Sequence, residues 1–351
     1  MPNHDRRLYE TGLFGDRKMR NSWSLTRWIF GVALVAVLPG LAAAQEPVKV
    51  RIGLASASLG AAAPRIAQRL GLFEKHGLDA KITILDDSSI ATQALISGSV
   101  DFSGTAPSDA IIAQTRGQAV VAVTTLYGGY SPAIVLSKKV ADGTGVAPTA
   151  PVRDRLKALD GILMGSTSAI SNFTLGVKCA LESAGATVRF TYMSQPAMVT
   201  ALEAGVVQAF IASAPFYAIP AEKGSGVIWV SGPDGEFPAG CATTYAATLN
   251  TTRGYAQANP EAIKRIRAVF ADFADAVRKR PDDVKTAISQ LFPDMSPAIL
   301  AIVMKSQSET SGYGAAPPNA EGIAREINFV KMSGASLPGL DKIDPASLLV
   351  P

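Results

Sequence analysis

Ala94-Leu95-Ile96-Ser97-Gly98-Ser99-Val100-Asp101-Phe102 decides the fold, because the chain says nearly the same thing again at Ala201-Leu202-Glu203-Ala204-Gly205-Val206-Val207-Gln208-Ala209. Each copy runs on to an Ala-Pro pair, Ala106-Pro107 and Ala214-Pro215. Each reads as a helix end, a glycine that reverses the chain, a short buried strand and a polar loop that opens another helix. Repetition on this scale predicts two similar α/β lobes with a cleft where they face each other. The spacing to Ala-Pro differs by one residue between the copies, and a helix-glycine-strand unit occurs in many α/β proteins. The rest of the chain must therefore supply independent support.

Working outward, the first strand is expected at Val48 to Leu54, whose alternation reads as a strand covered on one face. A helix follows with Ile66, Leu70 and Phe73 on one stripe, ending at Lys75-His76-Gly77 with cations near the negative end of its dipole. His76, the one histidine after residue 44, thus has a structural role as a helix-end residue. Lys81 to Leu85 reads as the second strand, and Ala119 to Val123 as an apolar strand inside a parallel sheet. Tyr127 to Pro132 breaks the pattern, and Ala133 to Leu136 resumes it as a strand crossing between lobes. A second series begins with a strand over Ile162 to Met164 and a helix from Phe173 to Glu182 that stops at Gly185. It continues with strands at Val188 to Tyr192 and Val227 to Val230. Cys241 to Leu249 is the expected return strand.

The C-terminal part is helical. Asn259-Pro260-Glu261 reads as a capped start, and Ile263, Ile266, Phe270, Phe273 and Val277 form a stripe that ends at Arg278-Lys279-Arg280-Pro281. Further helices around Ser296-Pro297 to Lys305 and Asn319 to Met332 are expected to wrap one lobe.

Residues 1–44 carry a different signal. An apolar run from Trp28 to Leu38 follows Arg20 and Arg27 and leads to Ala42-Ala43-Ala44, the pattern of a secretory signal peptide cleaved near Ala44. The run is shorter than the ~20 residues a membrane span needs. Met1 and Met19 are both possible starts. The segment holds Arg6, Arg7, Arg17, Lys18, Arg20 and Arg27 against Asp5, Glu10 and Asp16, so most of the formal +4 leaves with it. Nucleic-acid binding then has no compositional support. The remaining chain is ample for two domains. An exported compartment permits a disulfide between Cys179 and Cys241, but spacing leaves a bridge and two buried thiols equally open. With so few His and Cys residues, no metal and no cofactor is expected.

Four loops share one design, strand then Ser/Thr-rich turn then helix: Ser56-Ala57-Ser58, Thr105-Ala106-Pro107-Ser108, Ser166-Thr167-Ser168 with Ser171 and Asn172, and Ser213-Ala214-Pro215-Phe216. Such turns lie at the carboxyl edges of strands, where ligands bind in α/β folds. Their hydroxyls and the helix N-termini offer neutral hydrogen bonds. The competing use of the same residues is helix capping. No Gly-x-Ser-x-Gly, His-Glu-x-x-His, phosphate-loop or dinucleotide fingerprint is present. Asp101 is expected to bond backbone at a strand edge, and Asp86-Asp87 to form a turn or cap, with Asp86 a candidate for the cleft.

The order of Gly71-Leu72-Phe73-Glu74-Lys75-His76-Gly77-Leu78, the first repeat, Leu159-Asp160-Gly161 before Gly165-Ser166, and the second repeat through Phe216 resembles the periplasmic substrate-binding proteins of ABC importers. Within them it is most similar to the nitrate/sulfonate/taurine and thiamine-precursor branch. The resemblance implies a bilobal type II binding-protein fold, two α/β lobes joined by two crossover strands. Residues 45–133 and 240–351 would form lobe 1, residues 134–239 lobe 2, with hinges near Ser131 to Leu136 and Gly240 to Tyr245. It implies a small-molecule solute, a membrane permease as partner, a periplasmic location and no enzymatic activity; a monomer is expected. The ligand loops carried over are Ser56, Ser58, Thr105, Ala106, Ser108, Ser131, Ser166, Thr167, Asn172, Ala214 and Phe216, with Tyr130, Phe216 and Tyr245 as stacking surfaces. Two departures leave the solute open: these loops hold small neutral groups, and Gln208 stands where the family commonly has Asp. The alternatives are an enzyme on the same fold and an exported sensory or docking protein.

Overall fold

A computed structural model describes residues 46–305, 312–333 and 337–351. The signal-peptide expectation over residues 1–44 lies outside the described residues. Among these residues ten strands form two five-stranded sheets. The first holds β1 (Val48–Leu54), β2 (Leu78–Ile84), β3 (Phe102–Thr105), β4 (Val120–Gly128) and β10 (Tyr245–Thr252), in the order β2-β1-β3-β10-β4. The second holds β5 (Pro132–Ser137), β6 (Leu163–Ser166), β7 (Arg189–Tyr192), β8 (Ala209–Ser213) and β9 (Gly226–Ser231), in the order β7-β6-β8-β5-β9.

The two orders are the same plan. β1 pairs in parallel with β2 and β3, as β6 does with β7 and β8. Each sheet admits one antiparallel strand, β10 between β3 and β4 and β5 between β8 and β9. Each antiparallel strand arrives from the other sheet, through residues 129–131 into β5 and through residues 232–244 into β10. The chain thus has the two lobes and two crossings of a bilobal binding-protein fold.

The repeat explains the local chemistry. Gly98 and Gly205 both take a left-handed backbone, φ 74° and 73°, which reverses the chain after the helices Ser88–Ile96 and Gln195–Glu203. The strands that follow, β3 and β8, are buried at every residue, as central parallel strands are. Phe102 fills the first lobe, its ring meeting Tyr255 edge-on at 5.4 Å. Trp229 is fully buried in the second, its indole N–H donating to Arg155 O at 2.7 Å. The helices Pro260–Lys279, Pro281–Leu291, Pro297–Lys305 and Ala320–Met332 pack on the first lobe: Ile266, Phe270 and Phe273 join the cluster of Ile52 and Phe102, while Ile323 and Val330 join that of Leu95 and Ile111.

Several boundaries differ from expectation. The Ile66-Leu70-Phe73 helix is two helices, Ala63–Arg69 and Leu72–Lys75, broken by Gly71 at φ 68°. β4 runs through Tyr127 to Gly128, because its pairing with β10 continues that far. β10 begins at Tyr245, not Cys241. Cys241 instead forms a disulfide with Cys179, with Cα atoms 5.4 Å apart, fastening the second crossing to the helix Asn172–Ala184. Asn259 does not cap the helix it precedes: its side-chain amide donates back to Tyr255 O at 3.0 Å.

Candidate functional site

The parallel strands β1, β3, β6 and β8 end at one small cavity between the sheets, as ligand crevices do in open α/β folds. Its free space is about 50 Å3. From the first lobe come Ser56, Ser58 and Gly60 after β1, Ser88 at a helix start, Thr105, Ala106 and Asp109 after β3, and Ala246 and Ala247 on β10. From the second come Thr167 after β6, Ser171, Asn172 and Phe173 at a helix start, Gln195 at another, and Ser213 ending β8. Ser131 enters from the first crossing.

The lobes are closed on one another around this space. Leu59 N donates to Ala214 O at 2.9 Å, Ser88 Oγ and Ser168 Oγ lie 3.4 Å apart, and Asn172 Nδ2 donates to Ala246 O at 3.4 Å. Ser131 Oγ and Ser213 Oγ share a hydrogen bond at 2.9 Å, bringing the crossing against β8. Gly60 packs directly on this pair; a Cβ there would sit 3.0 Å from Ser131 Oγ and 3.3 Å from Ser213 Oγ. Thr105 Oγ1 accepts from Asn250 Nδ2 at 2.9 Å, and Ser213 N donates to Gln195 Oε1 at 2.8 Å. Each end-of-strand residue is thus held from a neighbouring element. Ser56 Oγ and Ser58 Oγ bond each other at 2.7 Å. Thr167, half-buried, lines the cavity wall.

Of the residues predicted for the site, Ser56, Ser58, Thr105, Ala106, Ser131, Thr167 and Asn172 line the cavity. Four do not. Ser166 is fully buried and accepts from Thr174 Oγ1 at 2.7 Å, turned into the fold by the helix it precedes. Ser108 is fully buried on the helix Pro107–Thr115. Ala214 contributes its carbonyl to Leu59 beside the cavity, not a wall to it. Phe216 packs against the core, in the turn before the next helix, which opens only at Ala218. Tyr130 and Tyr245 are also core residues; Tyr130 OH donates to Asn172 O at 3.1 Å, and Tyr245 OH accepts from Asn319 N. Asp87, not a cleft residue, caps the helix Ser88–Ile96 by accepting from Ile90 N, and Asp86 lies outside the cavity wall.

Among the cavity residues that sequence reading missed are Ser88, Asp109, Phe173 and Gln195, with Ala246 and Ala247 on β10. Two had a signal: Ser88 and Gln195 open the helices after β2 and β7, the same strand-turn-helix design read only after β1, β3, β6 and β8. Asp109 is the one charged side chain at the cavity among the described residues. Burial raises its carboxyl to about 7, with Asp87 adding to the rise, against the lowering pull of Ala106 N–H and the Ser88 hydroxyl. His76 is remote from these hydroxyls: it pairs with Asp272 at 2.8 Å, beside Lys75, and lines no part of the cavity. No group of His, Cys, Asp and Glu among the described residues is arranged to hold a metal ion.

The profile of the NMT1-like family matches residues 43–291. The chain belongs to the NMT1-like family. A relative from Brucella abortus, named "Putative binding protein", is 26% identical over 251 residues, covering 70% of this chain and 72% of its own. The alkanesulfonate-binding protein of Xanthomonas axonopodis pv. citri, solved bound to MOPS, superposes with a TM-score of 0.68 at 17% identity, over 87% of this chain and 99% of that one. The periplasmic nitrate-binding protein of Synechocystis PCC 6803 superposes at 0.60 with 12% identity, over 85% and 86%. This NMT1-like chain therefore has the fold of the periplasmic solute-binding proteins of ABC importers.

Proposed function

We propose that the protein is an exported solute-binding protein that captures a small solute between its lobes and delivers it to the permease of an ABC importer. The observation that carries this reading is the cavity: closed by both lobes, lined by hydroxyls, amides and one aromatic ring, and remote from the one histidine of the described chain. A triad-type hydrolase needs a base within hydrogen-bond reach of its nucleophile. The crossings 129–131 and 232–244 are where the lobes would hinge, the backbone between the sheets being the part free to change direction. A water needs roughly 10–15 Å3 of such space, so a cavity of about 50 Å3 holds a compact solute of a few heavy atoms when the lobes are shut. The solute is a sulfonate, nitrate, a carboxylate or a small aromatic or heterocyclic compound. Residues 1–44 are read as the cleaved signal that takes the chain to the periplasm, where it acts as a monomer.

The test is to purify the protein from an exporting host, identify released small molecules by mass spectrometry and follow melting temperature against a solute panel. N-terminal sequencing should begin at Gln45. A copurifying molecule or a thermal shift supports the reading. Absence of both would contradict it. Ser56→Ala with Thr167→Ala should weaken binding about 2- to 10-fold per lost neutral hydrogen bond with the circular dichroism spectrum unchanged. Ser166→Ala, by contrast, should leave affinity unchanged.

A further inference from the structure

The two crossings are not slack between the lobes. Residues 232–241 are tied to the second lobe: Gly232 N donates to Pro132 O at 3.0 Å, Glu236 accepts from Arg155 Nη2 and from Ser231 N, both at 2.7 Å, and Phe237 and Cys241 are buried in the cluster of Ile134 and Trp229. The disulfide then fixes Cys241 to Cys179, in the middle of the helix Asn172–Ala184. Gly176 of that helix lies against the same residue, where a Cβ would sit 3.0 Å from Cys241 O. Three residues later the partners belong to the first lobe. Glu326 Oε1, on the helix Ala320–Met332, accepts from both Thr244 N and Tyr245 N, and Arg325 Nε donates to Thr244 Oγ1 at 3.3 Å. Met332 at the end of that helix also touches Gly240, but it is a half-exposed, flexible side chain that can follow Gly240 as the lobes move.

The first crossing changes sides as sharply. Gly129 N donates to Thr244 O at 2.8 Å, beside the last pairing of β4 with β10. Its neighbour Tyr130 is a second-lobe residue, with its ring edge-on to Phe237 at 4.8 Å and its hydroxyl donating to Asn172 O, and Ser131 follows it onto Ser213. The two points of change adjoin, because Thr243 Oγ1 donates to Gly129 O at 3.4 Å. Between the second-lobe and first-lobe attachments lie only Gly129 in one crossing, at φ 77°, and Ala242 and Thr243 in the other, outside every strand and helix.

Resting on the solute-binding reading, we infer that the lobes turn about Gly129 and Ala242-Thr243 alone, and that the Cys179–Cys241 bridge, which lines no part of the cavity, sets solute affinity by keeping the second hinge this short. Hinges are short stretches that absorb the backbone change of a domain closure. Each residue left free in the open form must be ordered again on closing, which costs about tenfold in the closing equilibrium. Solute affinity falls in proportion to the share of the chain that can close. Cutting the bridge lets residues 238–241 join the open hinge, so affinity drops although no cavity residue has changed. The bridge is thus a positioning group that acts on the site through the hinge.

Amide hydrogen exchange on the dialysed, solute-free chain tests the hinge without any ligand. Ala242 and Thr243 should exchange fast, Thr243 despite its burial, while the bonded amides of Gly232, Glu236 and Cys241 on one side and of Thr244 and Tyr245 on the other stay protected. In the double variant Cys179→Ala, Cys241→Ala, fast exchange should spread back to residue 241 and stop there. Its affinity for whichever of nitrate, methanesulfonate, acetate and imidazole binds the wild-type chain tightest should fall by about tenfold or more. A bridge that only stabilised the fold would instead speed exchange throughout the second lobe and leave affinity as it was. That outcome, or fast exchange across the whole of residues 232–241 in the wild-type chain, would overturn the inference while leaving solute binding intact. Should the double variant not fold, the wild-type exchange pattern decides. If no probe binds and no molecule copurifies, the solute-binding reading fails, and the exchange pattern still decides the hinge.

Discussion

In the first lobe, Asp101 accepts from Arg51 N at 2.8 Å while its own N–H donates to Arg51 O at 2.9 Å; in the second, Gln208 accepts from Leu163 N at 3.0 Å while its N–H donates to Leu163 O at 3.0 Å. The same position of the repeat therefore clamps the same neighbouring strand, β1 in one lobe and β6 in the other. The departure at Gln208 keeps the clamp and drops only the charge, since Asp101 also binds the Arg51 guanidinium at 2.6 Å. The lobes differ more deeply in how they bury charge. In the second, Arg155 is 5% exposed and fully engaged, by Ala150 O, Trp229 O and both oxygens of Glu236. In the first, Asp109 and Glu326 each keep a buried oxygen without a partner. One lobe is built to hold its charges; the other buries one acid in the cavity wall and one behind the second crossing, where Glu326 accepts from Thr244 N and Tyr245 N.

Breaking the satisfied side of that comparison should cost most. Arg155→Met leaves the Ala150 and Trp229 carbonyls without their buried donor and the partly exposed Glu236 without its partner, and urea denaturation should register a loss of about 3–5 kcal/mol. Next, removing the bridge between Cys179 and Cys241, which closes a loop of 62 residues, should lower stability by about 2–4 kcal/mol in the same assay.

The pH dependence separates the lobes. Burial raises Asp109 and Glu326 to about 7, above their ordinary values of 3.8 and 4.5. The folded chain then holds protons that the unfolded chain has released, so their contribution to stability falls as pH rises from the ordinary range through about 7. Glu236 runs the other way: burial pushes it up, but hydrogen bonds from Arg155 and Ser231 N and the charge of Arg155 outweigh that and hold it below 4.5. Its contribution is present above the ordinary value and lost as pH falls further. Melting curves should show stability decreasing toward neutral pH, and Glu326→Gln should flatten that slope while leaving the acid limb unchanged. A slope unaffected by Glu326→Gln would remove the buried acid from the account.

The smallest effect should come from the clamp. Asp101→Ala should lower the melting temperature more than Gln208→Ala, and the gap should close at about 1 M salt, where a surface ion pair is screened. Equal effects at low salt would mean that the Arg51 contact adds nothing to the backbone clamp.

The lobes, their crossings and the return to the first sheet were legible because they are written in patterns that tolerate little else: buried runs such as Ala133 to Leu136, and Gly98 and Gly205 at left-handed positions. The strand-turn-helix loops were legible too, but not which hydroxyl of each loop faces inward. Ser and Thr serve caps and ligands alike, and the choice depends on tertiary partners. Ser166 turns to Thr174, whereas its neighbour Thr167 faces the cavity. Phe216 was misplaced because the second copy opens its helix later than the first, which begins at Pro107. Asp109 stands in the sequence just after the first repeat's Ala-Pro pair. Its burial depends on the helices and β10 that close over it, which no local pattern records.

Filling the cavity tests the central claim, solute capture between the lobes, most directly. Gly60 touches the Ser131–Ser213 pair, so a leucine side chain there would occupy the space a solute needs. Native mass spectrometry of the exported wild-type chain and of Gly60→Leu should find a bound small molecule in the first and none in the second, with matching circular dichroism spectra. The same bound mass in both, or a bare wild-type chain that no solute stabilises, would contradict it.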